Sequence, residues 1–409
     1  LMPRSLVREG VTLPDARRSH GYRTIYAIDE VRFANFDQSF GFDQLITPPV
    51  GAADFLLGYA GDIPLVNLLA TTTAGRLLFP SNHANRAANV TYEPQDFVER
   101  IENELNVDGP AFIAIHLTLA HWPYSWANTV RPTTPQQYRP AYRRAIEEVD
   151  RQFKSVLQVL TQKGLLDNSL VVVLSDHGEA LGGETDSMLR ATGSDREIWD
   201  SLWGHGTSVM SPHQYGVVLA MRAFGRARLP GVARNLDWPV SLVDLRPTLE
   251  EFATGAAPSG VDGISLLPLL AGPAQAASIN SRVRFTETDF NTPSTLAGRY
   301  EPSGIVHEAA VFYELDPATG WVQFRGSRLP FMIAHKQRAA LSRDSLLAEI
   351  PGPVDGSVSW LFTDRRSPLP RRLQGRPDPA TEPEAARLWD ALPARFKGEL
   401  PADSGLPLM

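Results

Sequence analysis

The chain has 409 residues, 43% hydrophobic and 21% charged, with a formal net charge of −7 and no cysteine. This is a globular composition, long enough for a large core, and its mild acidity gives no general pull toward nucleic acid or anionic lipid, so any bound anion must be held by local groups. The lack of cysteine excludes disulfides, thiolate zinc sites and cysteine nucleophiles, and leaves the redox compartment open.

In chain order, Thr12 is placed to cap a short helix that stops at Gly21. Tyr22 to Ile28 reads as a strand, so helix, glycine and strand make one turn of an α/β wind. Residues 33–57, rich in aromatics and glycine and holding Pro48-Pro49, read as a long loop. Glu93 to Leu105 has Phe97, Ile101 and Leu105 on one helical stripe. Ala111 to Leu117 is a short apolar run, expected to be a buried strand. Apolar residues recur at helical spacing from Tyr138 to Gln162, and Gly164 ends that helix. Ser169 to Leu174 is a second buried strand, which predicts a right-handed strand–helix–strand crossover. Gln214 to Arg222 reads as a third strand and Ser241 to Phe252 as a helix.

Beyond about Gly255 the texture changes. Val311 to Leu315 and Trp321 to Phe324 flank a turn at 316–320, a hairpin signal. Residues 331–341 and 357–363 are expected as strands, and Glu382 to Phe396 as a helix. The expected architecture is α/β: a mostly parallel sheet sandwiched by helices, with a small C-terminal antiparallel subdomain. Residues 1–280 would form the core and 281–409 the C-terminal part. No run reaches the roughly 18 apolar residues of a membrane helix, and no signal peptide opens the chain. The start Leu1-Met2-Pro3 reads as the interior of a longer frame.

In parallel α/β sheets, ligands sit outside the carboxyl ends of strands. Asp176 and His177 follow Val171 to Leu174 directly, and a carboxylate with an imidazole suits zinc or manganese, whereas a carboxylate alone suits calcium. Neighbours on a straight strand face opposite ways, so both reach one region only if the chain bends, as Gly178 and Gly182-Gly183 allow. A helix cap at Asp176 beside a surface His177 is the plainer alternative, but the whole Ser175-Asp176-His177-Gly178-Glu179 string favours a metal site.

His121, in His121-Trp122-Pro123-Tyr124, can donate to a sulfuryl or phosphoryl oxygen, with Trp122, Tyr124 and Trp126 as pocket walls; aromatic packing around a structural histidine is the alternative. His116 lies inside its strand and reads as buried and hydrogen-bonded. His205, between Gly204 and Gly206, suits a metal or phosphate contact, or else a surface loop. His213 reads as structural; Asp29, Glu30 and Arg32 are lesser candidates, where Arg32 could fork onto an anion but pairing with Glu30 or Asp37 as ordinary structure is favoured; and Thr286 to Asp289 reads as a strand end without chemistry.

The order of these motifs resembles the sulfatase family of the alkaline phosphatase superfamily. The segments that carry the resemblance are Gly21-Tyr22-Arg23-Thr24 with Gly41-Phe42-Asp43, His121-Trp122-Pro123-Tyr124, Leu166 to Glu179, and Val243 to Leu249, within about residues 12–365. The resemblance implies a metal-activated nucleophile that attacks sulfur or phosphorus in line, and a covalent intermediate resolved by water or an alcohol. By the match, Asp176 and His177 are metal-side residues for a divalent ion (zinc, manganese or calcium). His121 and His205 contact the transferred group or leaving oxygen. The implied substrate is a small-molecule, lipid-linked or glycan-linked sulfate or phosphate ester, and not a nucleic acid.

Several positions depart from the pattern. The family's nucleophile strand precedes the Thr12 helix; of residues 1–11 only Ser5 carries a hydroxyl, so the nucleophile is expected upstream of this chain. Without cysteine, one precursor of the formylglycine used by many sulfatases is gone. Glu30-Val31-Arg32 stands where sulfatases carry Lys-Trp-His. The Gly-His205-Gly loop and the pair His116 and His121 look closer to membrane phosphoethanolamine or phosphoglycerol transferases. That variant implies a membrane domain upstream and a periplasmic or extracytoplasmic setting. A transferase domain of this kind, and a silent binding or regulatory module that keeps the fold, stand as the alternatives to a hydrolase.

Overall fold

The computed structural model describes residues 10–30, 36–48, 65, 68–69, 72–78, 92–126, 129–183, 189–192, 195–198, 203–231, 235–272, 279–290, 302–315, 322–352, 357–364 and 370–396. Ser5, Arg32 and the turn at 316–320 lie outside them. The chain divides into two compact units: Met2–Leu170 with Ala223–Ala227, and Val171–Arg222 with Arg228–Met409.

The first unit opens with α1 (Leu13–Ser19), capped as expected: Thr12 accepts from the Asp15 amide and Asp15 accepts from the Thr12 amide. Gly21 follows at φ 78°, a left-handed stop. Strand β1 (Arg23–Ile28) lies between β2 (Gln44–Ile46) and β3 (Ala111–His116), parallel to both. Five of its six residues are buried, as a central parallel strand requires. Thr24 and Asp43 tie β1 to β2. The Thr24 amide donates to Asp43 Oδ2 at 2.9 Å, and the Asp43 amide donates to Thr24 Oγ1 at 3.0 Å. Tyr26, Ile28, Phe40 and Phe42 form the apolar cluster beside this corner.

Helices α2 (Pro94–Glu104) and α3 (Pro135–Gln162) cover the unit, α2 through Phe97, Val98 and Ile101 and α3 through Ala141, Ala145, Val156, Val159 and Leu160. Asp29, just past β1, is 1% exposed and accepts from the Thr118 amide and from Tyr92 Oη at 2.8 Å. It therefore fastens the ends of β1 and β3 together.

The chain enters the second unit within β4 (Asn168–Leu174), then forms β5 (Ala180–Leu181), β6 (Trp203–Gly204) and β7 (Leu219–Gly225). The predicted crossover would have put β3 beside β4; instead β3 pairs with β1 and β4 with β7, while β5 pairs with β6. The third strand starts at Leu219, not Gln214. Pro212 sits at the first position of a helical turn, Pro212–Tyr215, closed by Gly216 N donating to Pro212 O at 2.8 Å. Helix α4 (Leu245–Thr254) follows as expected.

The rest is built on a five-stranded antiparallel sheet: β8 (Arg284–Glu287), then α5 (Pro302–Phe312) and the hairpin β9 (Tyr313–Leu315) and β10 (Val322–Phe324), then α6 (Leu329–Ala334), β11 (Arg338–Leu341), β12 (Ser345–Pro351), β13 (Val358–Asp364), β14 (Arg371–Leu373) and α7 (Pro383–Phe396). Sheet order is β8-β11-β12-β13-β14. Two apolar runs read as strand are partly helical. Val311-Phe312 ends α5, and Phe331-Met332 lies in α6, because Phe312, Phe331 and Met332 pack on one another; short apolar runs do not separate the two periods. One sheet face takes Leu388, Leu392 and Phe396 of α7 against Ala340, Leu347 and Leu373. The other packs Ala339, Leu341, Leu346, Ala348, Ile350 and Leu361 against Val209. Among the described residues no helix is long and apolar enough to cross a membrane.

Candidate active site

In the second unit, the Ser175-to-Glu179 segment is held from two sides. Ser175 N donates to Val218 O at 3.2 Å, and Val218 N returns a bond to Ser175 Oγ at 3.0 Å. Gly178 N donates to Gln214 O at 2.8 Å, and a side chain at Gly178 would collide with the His213 carbonyl oxygen. Gly178 is thus required by close backbone approach rather than by a bend alone. The short β5–β6 ladder, with Ala180 opposite Gly204 and Leu181 opposite Trp203, then brings the Gly204-His205-Gly206 loop back onto Glu179. Both flanking glycines are left-handed, at φ 79° and 69°, so His205 sits on a turn that other residues resist.

The result is a compact cluster. His177 and His205 stack with ring centroids 3.7 Å apart. His205 Nδ1 lies 2.8 Å from Glu179 Oε2, whose side chain is only 8% exposed. His177 Nδ1 donates to Gly178 O at 2.7 Å, and its Nε2 lies 3.5 Å from Asp176 Oδ2. One ligand atom each from His177, Glu179 and His205 lies within 4.8 Å of the others. Burial of the His205 ring works against its charge, but the hydrogen bond and charge of Glu179, with Asp176 and Asp289 beyond, outweigh it and raise its pKa.

The loop is also stapled to the antiparallel sheet. Asp289 N, just past β8, donates to Gly206 O at 2.9 Å, and Val209 N donates to Gln337 Oε1 at 3.3 Å. Gln337 and Thr288 bond each other through both backbones, Thr288 N to Gln337 O and Gln337 N to Thr288 Oγ1. Glu179 and Asp289 are the residues that sequence reasoning passed over. Glu179 stood in the motif without a role, and no spacing signal links Asp289 to His205 across the intervening chain.

In the first unit, His121 Nδ1 donates to Trp122 O at 2.8 Å, which fixes its ring. Tyr124 carries φ +56° and is buried against Tyr142 and Tyr138, with ring centroids 5.3 and 6.4 Å away, so packing pays for a strained backbone. Of the three expected wall residues, Tyr124 is core, Trp122 is exposed, and Trp126 lines a cavity of about 420 Å³ with Glu93, Glu148, Arg151 and Gln152. His116 Nδ1 pairs with Tyr26 Oη at 3.2 Å, the hydrogen bond its sequence reading expects, but the residue is half-buried rather than buried.

The sulfatase family model matches residues 4–253. Steryl-sulfatase of Rattus norvegicus is 28% identical over 205 residues, 48% of this chain and 32% of the relative's length. Arylsulfatase K of Xenopus laevis is 28% identical over 179 residues, 42% of this chain and 29% of that protein. The multifunctional alkaline phosphatase superfamily protein PehA of Trinickia caryophylli is 29% identical over 136 residues, 33% of this chain and 23% of that protein. The chain thus matches about a third or less of the length of these curated relatives. Among solved structures, a protein of a Bacteroides thetaiotaomicron locus for metabolism of multiple glycosaminoglycans superposes with a TM-score of 0.53 at 15% identity, covering 96% of this chain and 77% of that one. Ps i-CgsB, solved with k-i-k-neocarrahexaose, gives a TM-score of 0.50 at 12% identity, covering 97% and 76%. These likenesses establish the fold.

Proposed function

Because the chain belongs to the sulfatase family, we propose that it serves the hydrolysis of sulfate esters with the help of a divalent metal ion. The observation that carries this reading is the spacing at the end of β4: Asp176 Oδ2 and His177 Nε2 are 3.5 Å apart, a separation two ligands of one ion adopt. His177 Nδ1 is committed to Gly178 O, which fixes the tautomer and orients Nε2 as the metal-side nitrogen. A donor set of imidazole and carboxylate suits zinc or manganese better than calcium, which prefers oxygen alone. When bound, such an ion polarises the ester and offsets its negative charge.

The chain's own residues do the rest. Glu179 holds the His205 ring and favours its protonated form, so His205 is proposed as the donor to an oxygen of the transferred group or to the leaving oxygen. His121, in the first unit, is proposed as a donor to an anionic oxygen, its ring set by Trp122 O. The nucleophile is proposed to lie on the strand that precedes the Thr12 helix, in keeping with the family's motif order. The names of the steryl-sulfatase and arylsulfatase relatives support sulfate over phosphate as the transferred group.

The test is metal content and turnover of an aryl sulfate by the full-length protein and by Asp176→Ala. The expected result is stoichiometric metal in the wild type, lost together with turnover in the variant. Equal metal occupancy in both would overturn the assignment of Asp176.

A further inference from the structure

The cavity of about 420 Å³ lined by Trp126 is not absorbed by this reading. It lies between the start of α2, at Glu93 and Val98, and the middle of α3, at Glu148, Arg151 and Gln152, and its volume is at the small end for small-molecule sites. These wall residues all belong to the first unit, and among the described residues no proposed metal or catalytic residue lines it. Gln152 is 3% exposed, and its neighbours fix which way its amide points. Nε2 donates to Pro94 O at 3.2 Å, which can only accept, and to Tyr92 Oη at 2.9 Å, whose own hydrogen goes to Asp29 Oδ2. Oε1 is left buried with no hydrogen-bond partner. Buried polar atoms are nearly always paired, so an orphan acceptor in a cavity wall marks a place for a donor from outside.

The charges around the cavity point the same way. Glu148 and Arg151 neutralise each other, Arg151 Nε donating to Glu148 Oε2 at 2.9 Å. The Glu93 carboxylate makes no hydrogen bond or ion pair with any described residue and does not cap its own helix. Arg151 is the only cation among the described wall residues and is already engaged, so an anion finds no charged partner here. Half-buried Trp126 and buried Val98 supply an apolar wall beside these acceptors.

This wall defines a ligand. An ammonium has three donors, enough to serve a carboxylate and an amide oxygen together. An indole takes a flat apolar group, or the ammonium itself, against its ring. We propose that this cavity binds a small molecule that carries a primary ammonium on a flat apolar body. The ammonium pairs with Glu93 and donates to Gln152 Oε1, and the body lies against Trp126 and Val98. The side chains that turn aside to admit it, Glu93 and Arg151, are exposed, so entry leaves both helices in place. The site takes no part in the ester chemistry and does not depend on the hydrolase reading.

The test compares two probes on the full-length protein by ligand-observed NMR titration: benzylammonium, and benzyl alcohol, which keeps the ring without the charge. Benzylammonium is expected to bind the wild type more tightly than benzyl alcohol. Glu93→Gln, at an exposed position, should weaken benzylammonium by about 3- to 10-fold, the size of one partly solvated charged contact, and leave benzyl alcohol within about twofold. Trp126→Ala should weaken both probes, since both present a ring. Gln152→Met keeps the bulk and removes the acceptor, and should weaken benzylammonium more than benzyl alcohol. Equal affinity of the wild type for the two probes overturns the site. So does an absence of benzylammonium binding, or an affinity for it that Glu93→Gln leaves unchanged. If the wild type turns over no sulfate ester, the hydrolase reading fails by itself, and these titrations still decide the site.

Discussion

Glu179 Oε2 lies 2.8 Å from His205 Nδ1, and this contact joins two segments that the chain separates by a stretch longer than twenty residues. A nearly buried carboxylate on one ring nitrogen leaves the other to act as the donor. Glu179→Gln keeps the shape and removes the charge. The expected outcome is a loss of about 10- to 100-fold in turnover with the melting temperature little changed, the range seen when a partner orienting a site histidine is removed. Steady-state kinetics beside thermal denaturation checks it, and unaltered turnover would remove Glu179 from the site.

Gly178 has no room for a methyl group, since one would meet the His213 carbonyl. Gly178→Ala must push the Ser175-to-Glu179 segment away from the Pro212–Tyr215 turn. A stability loss of about 1–3 kcal/mol is expected, as for overpacked cores. Bound metal should fall with it. Chemical denaturation and metal analysis of the same preparation read both effects.

Asp43 makes a prediction in pH. Its backbone bond from Thr24 holds its carboxyl below the usual carboxylate range against the opposing effect of burial, with the Thr24 hydroxyl and Arg18 adding to the lowering. A carboxyl whose pKa is lower folded than unfolded stabilises the fold above its unfolded value, and that contribution is lost as pH falls through the folded value. Asp43→Asn should therefore be destabilised near neutrality, by about 1 kcal/mol because the carboxylate is partly solvated. The gap to wild type should close on acidification below the usual carboxylate value. Urea melts across that range measure it, and a gap that widens toward acid would contradict it.

Leu347 is 0% exposed, on the sheet face that receives α7. Leu347→Ala should cost about 2–5 kcal/mol, the usual cavity range for a buried leucine. Equilibrium denaturation would show it, and a loss well under that range would mean that α7 closes into the gap.

Local signals carried much of this architecture. Thr12, the β1 run and Gly21 gave a cap, a strand and a stop that all appear where their chemistry put them. The Asp176-His177 pair was legible because an apolar strand ends just before it. What stayed hidden depends on partners distant in sequence. Pairing of β4 with β7 rather than β3, the helical state of Phe331-Met332, and the approach of Asp289 to Gly206 are set by packing between segments, and no window of one period contains them. Glu179 was in plain view, but its role depends on a two-residue ladder, Ala180 with Gly204 and Leu181 with Trp203, too short to leave a pattern.

The bond from Asp289 N to Gly206 O has a consequence for recombination among relatives. A chimera joined near residue 280 would take its histidine loop from one parent and the strand that steadies it from another. Its defect would surface as misplaced His205 chemistry rather than as unfolding. Exchanges that carry residues 203–214 and 284–289 together should cross between parents more cleanly than either segment alone.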